Sequence, residues 1–93
     1  MYKIKTTDSF TVNFLDILNF YSKLNVEISR EFFTEVSLIE KNIISFPEMY
    51  KIRYKNLRRV NLNKFPFCIF YRIESENIIR LIKIVHQSRD PLF

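Results

Sequence analysis

The sequence contains no glycine and only three prolines among its 93 residues. Turns that need a positive backbone φ must therefore use asparagine or aspartate, which tolerate that conformation better than most residues. The Walker and dinucleotide-binding motifs are excluded, because both depend on glycines that let the backbone approach a phosphate. The absence of glycine thus removes two large classes of nucleotide-binding enzyme.

Cysteine and histidine are almost as scarce, with one of each, Cys68 and His86. A single cysteine forms no internal disulfide, which fits a reducing compartment. Two ligands on different predicted strands cannot complete the usual set of zinc ligands. A Cys68–His86 nucleophilic pair is chemically possible, although a buried thiol is the stronger interpretation of Cys68. We expect neither a metal nor another cofactor.

Long apolar runs are absent as well, and no segment approaches the roughly 18 residues that span a membrane. The first five residues lack the apolar core of a signal peptide. Aromatic residues are by contrast frequent, with ten Phe and five Tyr, which argues against intrinsic disorder. The length fits one domain, residues 1–93. These features predict a single-domain cytoplasmic protein that does not associate with membranes.

Positive charge is concentrated in the second half of the chain. Residues 1–47 contain five Lys or Arg and six Asp or Glu, a net charge of −1. Residues 48–93 contain ten Lys or Arg and four Asp or Glu, a net charge of +6. Such asymmetry favours a nucleic acid or an acidic protein as a partner. The alternative is a generic solubilising surface.

The first half of the chain has helical periodicity. Apolar residues recur at intervals of three and four over residues 10–24 and again over residues 28–43, which predicts two amphipathic helices. Thr7, Asp8 and Ser9 are suitable N-caps, and Asn25 is a plausible break between the helices. So short a connection predicts an antiparallel helical hairpin. The second helix should end at Phe46, because Pro47 disfavours α conformation in the residue before it.

Strand patterns dominate the remainder. Residues 57–62, 67–73 and 78–85 are rich in β-branched, aromatic or alternating residues and are joined by short polar segments. Residues 2–6 alternate weakly and predict a first strand, while residues 48–56 fit either a strand or an extended loop. The resulting order is β-α-α-β-β-β, an α+β fold with a helical hairpin on one face of an antiparallel sheet. The other face is then available to a partner.

Specific packing contacts follow from these two periods. We expect these helical residues to pack against Ile69, Ile73, Leu81 or their strand neighbours in the sheet: Phe14, Leu18, Tyr21, Phe32, Val36, Ile39 and Ile43.

Three motifs in the second half resemble the ParE branch of the RelE/ParE toxins. They are Leu57-Arg58-Arg59, Phe65-Pro66-Phe67-Cys68-Ile69-Phe70-Tyr71-Arg72 and His86-Gln87-Ser88-Arg89-Asp90-Pro91. The resemblance implies the fold deduced above and a bacterial toxin of a type II toxin–antitoxin pair, of the plasmid-stabilisation type. It also implies a partly disordered cognate antitoxin that wraps around the toxin. ParE-like members are associated with DNA gyrase, whereas RelE-like members cut messenger RNA on the ribosome.

The residues therefore leave two main functions open, and a third is an additional alternative. The leading one is binding and inhibition of a large target such as DNA gyrase, for which no catalytic residue is assigned. The alternative is a metal-independent, ribosome-dependent mRNA endonuclease. An inactive homologue that only binds the antitoxin is the third.

Cleavage of RNA without a metal requires a base for the ribose hydroxyl, cations for the phosphate and an acid for the leaving oxygen. By resemblance to RelE-like nucleases, Arg59 and Arg89 occupy two positions of that set, but Asn61 and Cys68 stand where further basic residues are expected. No tyrosine follows Arg89. The cleavage machinery therefore looks incomplete.

Candidate site residues can nevertheless be named for both functions. A nuclease would use Arg59, His86 and Arg89, because His86 alone has an ordinary pKa near neutral pH, about 6.5. We favour a structural role for His86 in the C-terminal turn, together with Asp90. For target or antitoxin binding, the candidates are Arg58, Arg59, Arg72 and Arg89.

The geometry of a strand refines these assignments. Arg58 and Arg59 are adjacent, so their side chains leave opposite faces and at least one of them should contact a partner. Lys51, Arg53 and Lys55 share one side if their segment is extended, either as a binding strip or as a solvated edge that prevents strand pairing. We expect the antitoxin to supply an acidic or amphipathic segment, an apolar helix or strand flanked by acids.

Overall fold

A computed structural model describes residues 1–89 of the chain. The elements are β1 (Lys3–Thr6), α1 (Asp8–Leu24), α2 (Val26–Ser45), β2 (Ile52–Tyr54), β3 (Leu57–Asn61), β4 (Phe67–Ser75) and β5 (Ile78–His86). The predicted order is confirmed, and the ambiguous segment contributes the short strand β2. Within the described residues, no helix is long and apolar enough to cross a membrane.

Two polar residues define the helical hairpin. The Thr7 hydroxyl accepts a hydrogen bond of 3.0 Å from the Phe10 amide and donates one of 2.6 Å to the Ile82 carbonyl, so it caps α1 and attaches it to β5. Asn25 ends α1 with its backbone amide, which donates to the Tyr21 carbonyl. Its side-chain oxygen accepts from the Glu27 amide at 2.8 Å and begins α2. The predicted break at Asn25 is confirmed.

The strands form one five-stranded sheet in the order β1-β5-β4-β3-β2. The pairs β2–β3, β3–β4 and β4–β5 are antiparallel, as expected. The strand β1 differs, because it pairs with β5 in parallel and makes the sheet mixed. Alternation of residues indicates which faces a strand presents but carries no information on the direction of its neighbour.

The core lies between the hairpin and one face of the sheet. Its buried apolar side chains are Phe10, Phe32, Val36, Ile39, Ile43, Val60, Leu62, Phe65, Ile69, Tyr71, Ile79, Leu81 and Ile84. Phe32 is fully buried, with ring centroids 5.7 Å from Tyr21 and 5.3 Å from Phe65.

The predicted packing of the hairpin holds in full for α2, whose four named residues are all buried. Phe14, Leu18, Tyr21 and Ile73 are instead only partly buried and pack at the margin of the core. The helix α1 contributes one buried residue, Phe10, which sequence periodicity placed at the start of the apolar set. The helix α2 therefore supplies most of the buried side chains of the hairpin, whereas α1 lies against β5 and buries Phe10.

Candidate functional site

The face of the sheet that points away from the helices carries two of the four predicted binding residues, Arg59 and Arg72. Val60 and Ile69 are paired in the core, so their neighbours Arg59 and Phe70, which pair with each other, point the opposite way. Lys83 pairs with Phe70 and shares that direction. We call this surface the helix-free face and define it by these residues: Lys3, Lys5, Arg59, Phe70, Arg72, Glu74, Arg80 and Lys83.

Arg59 is held in place at one end of this face. Its guanidinium carbon lies 5.8 Å from the centroid of the Phe70 ring, and the ring itself is fully buried. Its Nε donates to the Asn61 side-chain oxygen at 3.0 Å, and its Nη2 donates to the Gln87 carbonyl at 2.9 Å. A cation over an aromatic face is stabilised by about 0.5–2 kcal/mol. Arg59 therefore presents a fixed positive charge.

Gln87 is the residue that organises this end of the sheet. Its side-chain amide lies 3.0 Å from the carbonyls of Leu62 and Phe67 and 3.3 Å from that of Phe65. Its backbone amide donates to the Pro66 carbonyl at 2.8 Å. Sequence reasoning did not single out Gln87, although its place inside the last of the three motifs was a usable signal. It fixes the turn between β3 and β4 beneath Arg59.

His86 stabilises the turn that follows β5. Its Nδ1 accepts a hydrogen bond of 3.1 Å from the Ser88 amide and lies 2.8 Å from the Ser88 hydroxyl. Because Nδ1 accepts, we assign the ring proton to Nε2. The Arg89 amide donates to the His86 carbonyl at 2.9 Å. These contacts support the structural role predicted for His86, while the partner suggested for it, Asp90, lies outside the described residues.

Arg59, His86 and Arg89 are thus brought to the same end of the sheet around Gln87. Cys68 is fully buried in the strand beside Asn61, so it presents no nucleophile to solvent. Among residues 1–89, no group of three or more His, Cys, Asp or Glu has an arrangement that could hold a metal ion.

Arg58 points to the opposite side of the sheet, as the alternation predicted. It pairs with the buried Tyr71, and its Nη1 donates to the Tyr50 carbonyl at 2.7 Å and to the Glu48 carbonyl at 3.3 Å. Its observed contacts therefore hold the segment between α2 and β2. The binding role predicted for Arg58 stays a prediction.

Arg72 belongs to the other end of the helix-free face, near the turn between β4 and β5. Its Nη2 lies 2.8 Å from the Glu74 carboxylate, which also accepts from the Nε of Arg80 at 2.6 Å and from its Nη2 at 3.0 Å. Hydrogen bonds from Arg80 first, and then from Arg72, lower the pKa of Glu74 to about 2. The predicted binding arginines accordingly form separate groups.

A second candidate surface is the edge of the sheet at β2. Phe46, Met49, Ile52 and Tyr54 are all exposed, and Lys51, Arg53 and Lys55 are interleaved with them. Lys55 adopts a left-handed backbone with φ of 48°, so the extended alternation ends at Tyr54. We call residues 46–55 the β2 edge. It combines apolar side chains with positive charge.

A third surface is a groove of about 800 Å³ between the outer sides of α1 and α2. Leu15, Val26 and Phe33 line it and are each more than half exposed. The two helices carry more acids than bases, so this surface differs in charge from the β2 edge.

Comparisons with known proteins agree with this geometry. A family model described as the ParE toxin of a type II toxin–antitoxin system, parDE, matches residues 4–91. A solved structure titled "Chromosomal ParDE TA system from P. aeruginosa" has a similar fold, with a TM-score of 0.76 and 17% sequence identity. The match covers 92% of this chain and 96% of that chain. No curated protein sequence matches the chain significantly.

Proposed function

This chain belongs to the ParE toxin family of type II toxin–antitoxin systems, and we propose that it acts by binding and inhibiting DNA gyrase. We further propose that a cognate antitoxin holds it in check in the cytoplasm. The family match favours this function over ribosome-dependent cleavage of messenger RNA. The proposal rests on two surfaces of the molecule, the end of the sheet around Arg59 and the β2 edge.

The arrangement around Arg59 supports a binding function without covalent chemistry. Arg59 and Lys83 lie on the two strands that flank Phe70 on the helix-free face, and Asn61 beside Arg59 serves as its acceptor. Cys68, where the nuclease pattern needs a further cation, is fully buried. His86 uses Nδ1 to hold the turn. A fixed cation beside an exposed arginine, Arg89, suits recognition of an acidic or polar protein surface.

Induction of the toxin in bacteria tests the proposal directly. Plasmid supercoiling and integrity of messenger RNA are measured from the same culture, and purified toxin is added to purified gyrase. We expect gyrase inhibition with intact transcripts. Cleaved transcripts together with unchanged supercoiling would favour the endonuclease and defeat the proposal.

For the antitoxin, the β2 edge is the proposed binding surface. A strand at a sheet edge presents unpaired backbone groups to an added segment. The exposed apolar residues of this edge fit an apolar strand or helix, and its three cations fit flanking acids. Binding should therefore weaken with salt through screening at the charged rim.

Two matched substitutions locate the antitoxin. Ile52→Asp places a carboxylate at the β2 edge, and Phe33→Asp places one in the helical groove, where the side chains are 53% and 52% exposed respectively. We expect Ile52→Asp to weaken the complex strongly and Phe33→Asp to change it little. Loss of affinity in Phe33→Asp alone would assign the antitoxin to the helical hairpin instead.

A further inference from the structure

Three cations stand in one row across the helix-free face. Lys5 on β1 pairs with Arg80 on β5, and Arg80 pairs with Arg72 on β4. Adjacent strands lie about 4.8 Å apart, so the row extends over roughly 10 Å. We call these three residues the cation row. Lys3, two positions before Lys5, and Lys83 add further charge on the same face.

Such a row costs stability, because like charges directly opposite each other on neighbouring strands repel. The five strands contain a single acid, Glu74, which bridges Arg72 and Arg80. Lys3, Lys5, Arg72, Arg80 and Lys83 set against Glu74 give five positive charges and one negative charge, a net of +4. A surface that needed only solubility would mix the two signs. The retained excess of positive charge points to an anionic ligand.

Glu74 also orients the two arginines. It accepts hydrogen bonds from the Nε and Nη2 atoms of both guanidinium groups. Within residues 1–89, these contacts leave the Nη1 group of each arginine as a donor for a ligand. Their side chains are 39% and 29% exposed, so both are accessible from solvent. Glu74 therefore restrains the orientation of both guanidinium groups.

The absence of exposed apolar residues distinguishes a nucleic acid from a protein as this ligand. Apart from Met1, every large exposed apolar side chain in the described part of the chain lies on α1, α2 or the β2 edge. Phe70, the aromatic residue of the helix-free face, is fully buried. Protein interfaces need an apolar centre and are poor in lysine. Interfaces with DNA are polar and strongly positive.

We propose that the cation row binds the phosphodiester backbone of duplex DNA. The contact is independent of base sequence, because it uses charges and donors directed at phosphate oxygens. Its use in poisoning rests on the proposed function: a toxin docked on gyrase would also hold the DNA bound to that enzyme. The DNA contact itself requires no gyrase.

Binding of purified toxin to a labelled DNA duplex of mixed sequence, over a series of NaCl concentrations, tests the inference. Each neutralised phosphate contributes about −0.9 to the slope of log K against log salt, so the cation row together with Lys83 predicts a slope of about −3.6. Lys5→Gln/Lys83→Gln should reduce the steepness by about two and weaken binding at least tenfold at about 0.1 M salt. Both positions avoid the Glu74 contacts, and circular dichroism verifies folding.

Lys23→Gln/Lys41→Gln is the matched control, because it removes the same charge from the two helices. This variant should bind DNA as the unmodified toxin does. An equal loss of DNA affinity in both double variants would mean that net charge alone explains the binding, and it would overturn the inference. Tighter binding to single-stranded RNA or to polyglutamate than to duplex DNA would also overturn it.

Failure of this inference and failure of the proposed function give different results. Gyrase inhibition by a toxin that binds no DNA on its own would overturn the DNA site and leave the gyrase proposal standing. Salt-dependent DNA binding that is lost in Lys5→Gln/Lys83→Gln would support the site even if gyrase were unaffected.

Discussion

The hydroxyl of Tyr71 donates a hydrogen bond of 2.7 Å to the carbonyl oxygen of Pro47. Tyr71 is fully buried on β4, and Pro47 follows the end of α2. Arg58, on the neighbouring strand, donates to the carbonyl of Tyr50 in the same segment. The core of the sheet thereby fixes the chain that leads from the helices to the β2 edge.

Tyr71→Phe should destabilise the fold and flatten its response to alkaline pH. Removing the hydroxyl leaves the Pro47 carbonyl without this donor, at a cost of about 1–2 kcal/mol. Burial raises the pKa of Tyr71 from 10.0 to about 12, so the folded state holds the phenolic proton more tightly than the unfolded state. That stabilisation is complete below about pH 10 and is lost as pH rises towards 12. Urea unfolding at several pH values measures both effects.

Tyr54→Phe provides the control for this loss, because Tyr54 is 42% exposed on the β2 edge. It should change the free energy of unfolding by less than about 0.5 kcal/mol. An alkaline transition of equal size in Tyr71→Phe and the unmodified chain would disprove the assignment to Tyr71.

Glu74→Gln should remove part of the acid sensitivity of the fold. The arginines lower the pKa of Glu74 to about 2 from an ordinary value of 4.5, so folding favours the carboxylate. The resulting stabilisation is present above about pH 4.5 and is lost as pH falls towards 2. Unfolding measured between these values should depend less on pH in Glu74→Gln. Glu76→Gln in the adjacent turn is the charge-matched control and should keep the original dependence.

Phe32→Ala should cost about 3–5 kcal/mol of stability, the usual range for truncation of a buried phenylalanine. Phe32 is 0% exposed, whereas its neighbour Phe33 is 52% exposed. Phe33→Ala should therefore cost less than about 1 kcal/mol. Denaturant titration of the two variants compares the same chemical change at adjacent positions of α2. Similar costs at both positions would contradict the observed orientation of the helix.

His86→Gln should leave a folded protein that keeps most of its toxicity. Glutamine retains the size and the hydrogen-bonding capacity with which His86 holds the turn at Ser88. Arg59→Ala and Arg89→Ala should weaken toxicity more, because they remove charges proposed to contact the target. Growth after induction measures the three effects, and thermal unfolding confirms that each variant is folded.

Loss of a general acid or base would have a different signature. It would lower a cleavage rate by about 10²–10⁴-fold. A folded His86→Gln protein without toxicity, together with cleaved transcripts from the unmodified toxin, would establish the endonuclease.

The periods of the sequence determined the secondary structure and most of the core. The spacing of apolar residues predicted α1 and α2, and the capping side chain of Asn25 predicted the break between them. Both features depend on residues that are close in the chain. Alternation placed Arg58 and Arg59 on opposite faces. The three motifs of the second half predicted the family, which the match over residues 4–91 confirms.

Only the tertiary structure decided which distant residues meet. The parallel pairing of β1 with β5 sets Lys5 beside Arg80, and Gln87 reaches the turn between β3 and β4. The arginines predicted to bind a partner also lie in separate places, because Arg59 contacts Gln87 whereas Arg72 contacts Glu74. Residue alternation defines the faces of one strand and a short turn fixes the register of a hairpin, but β1 and β5 are far apart in the chain, so no turn between them fixes their pairing.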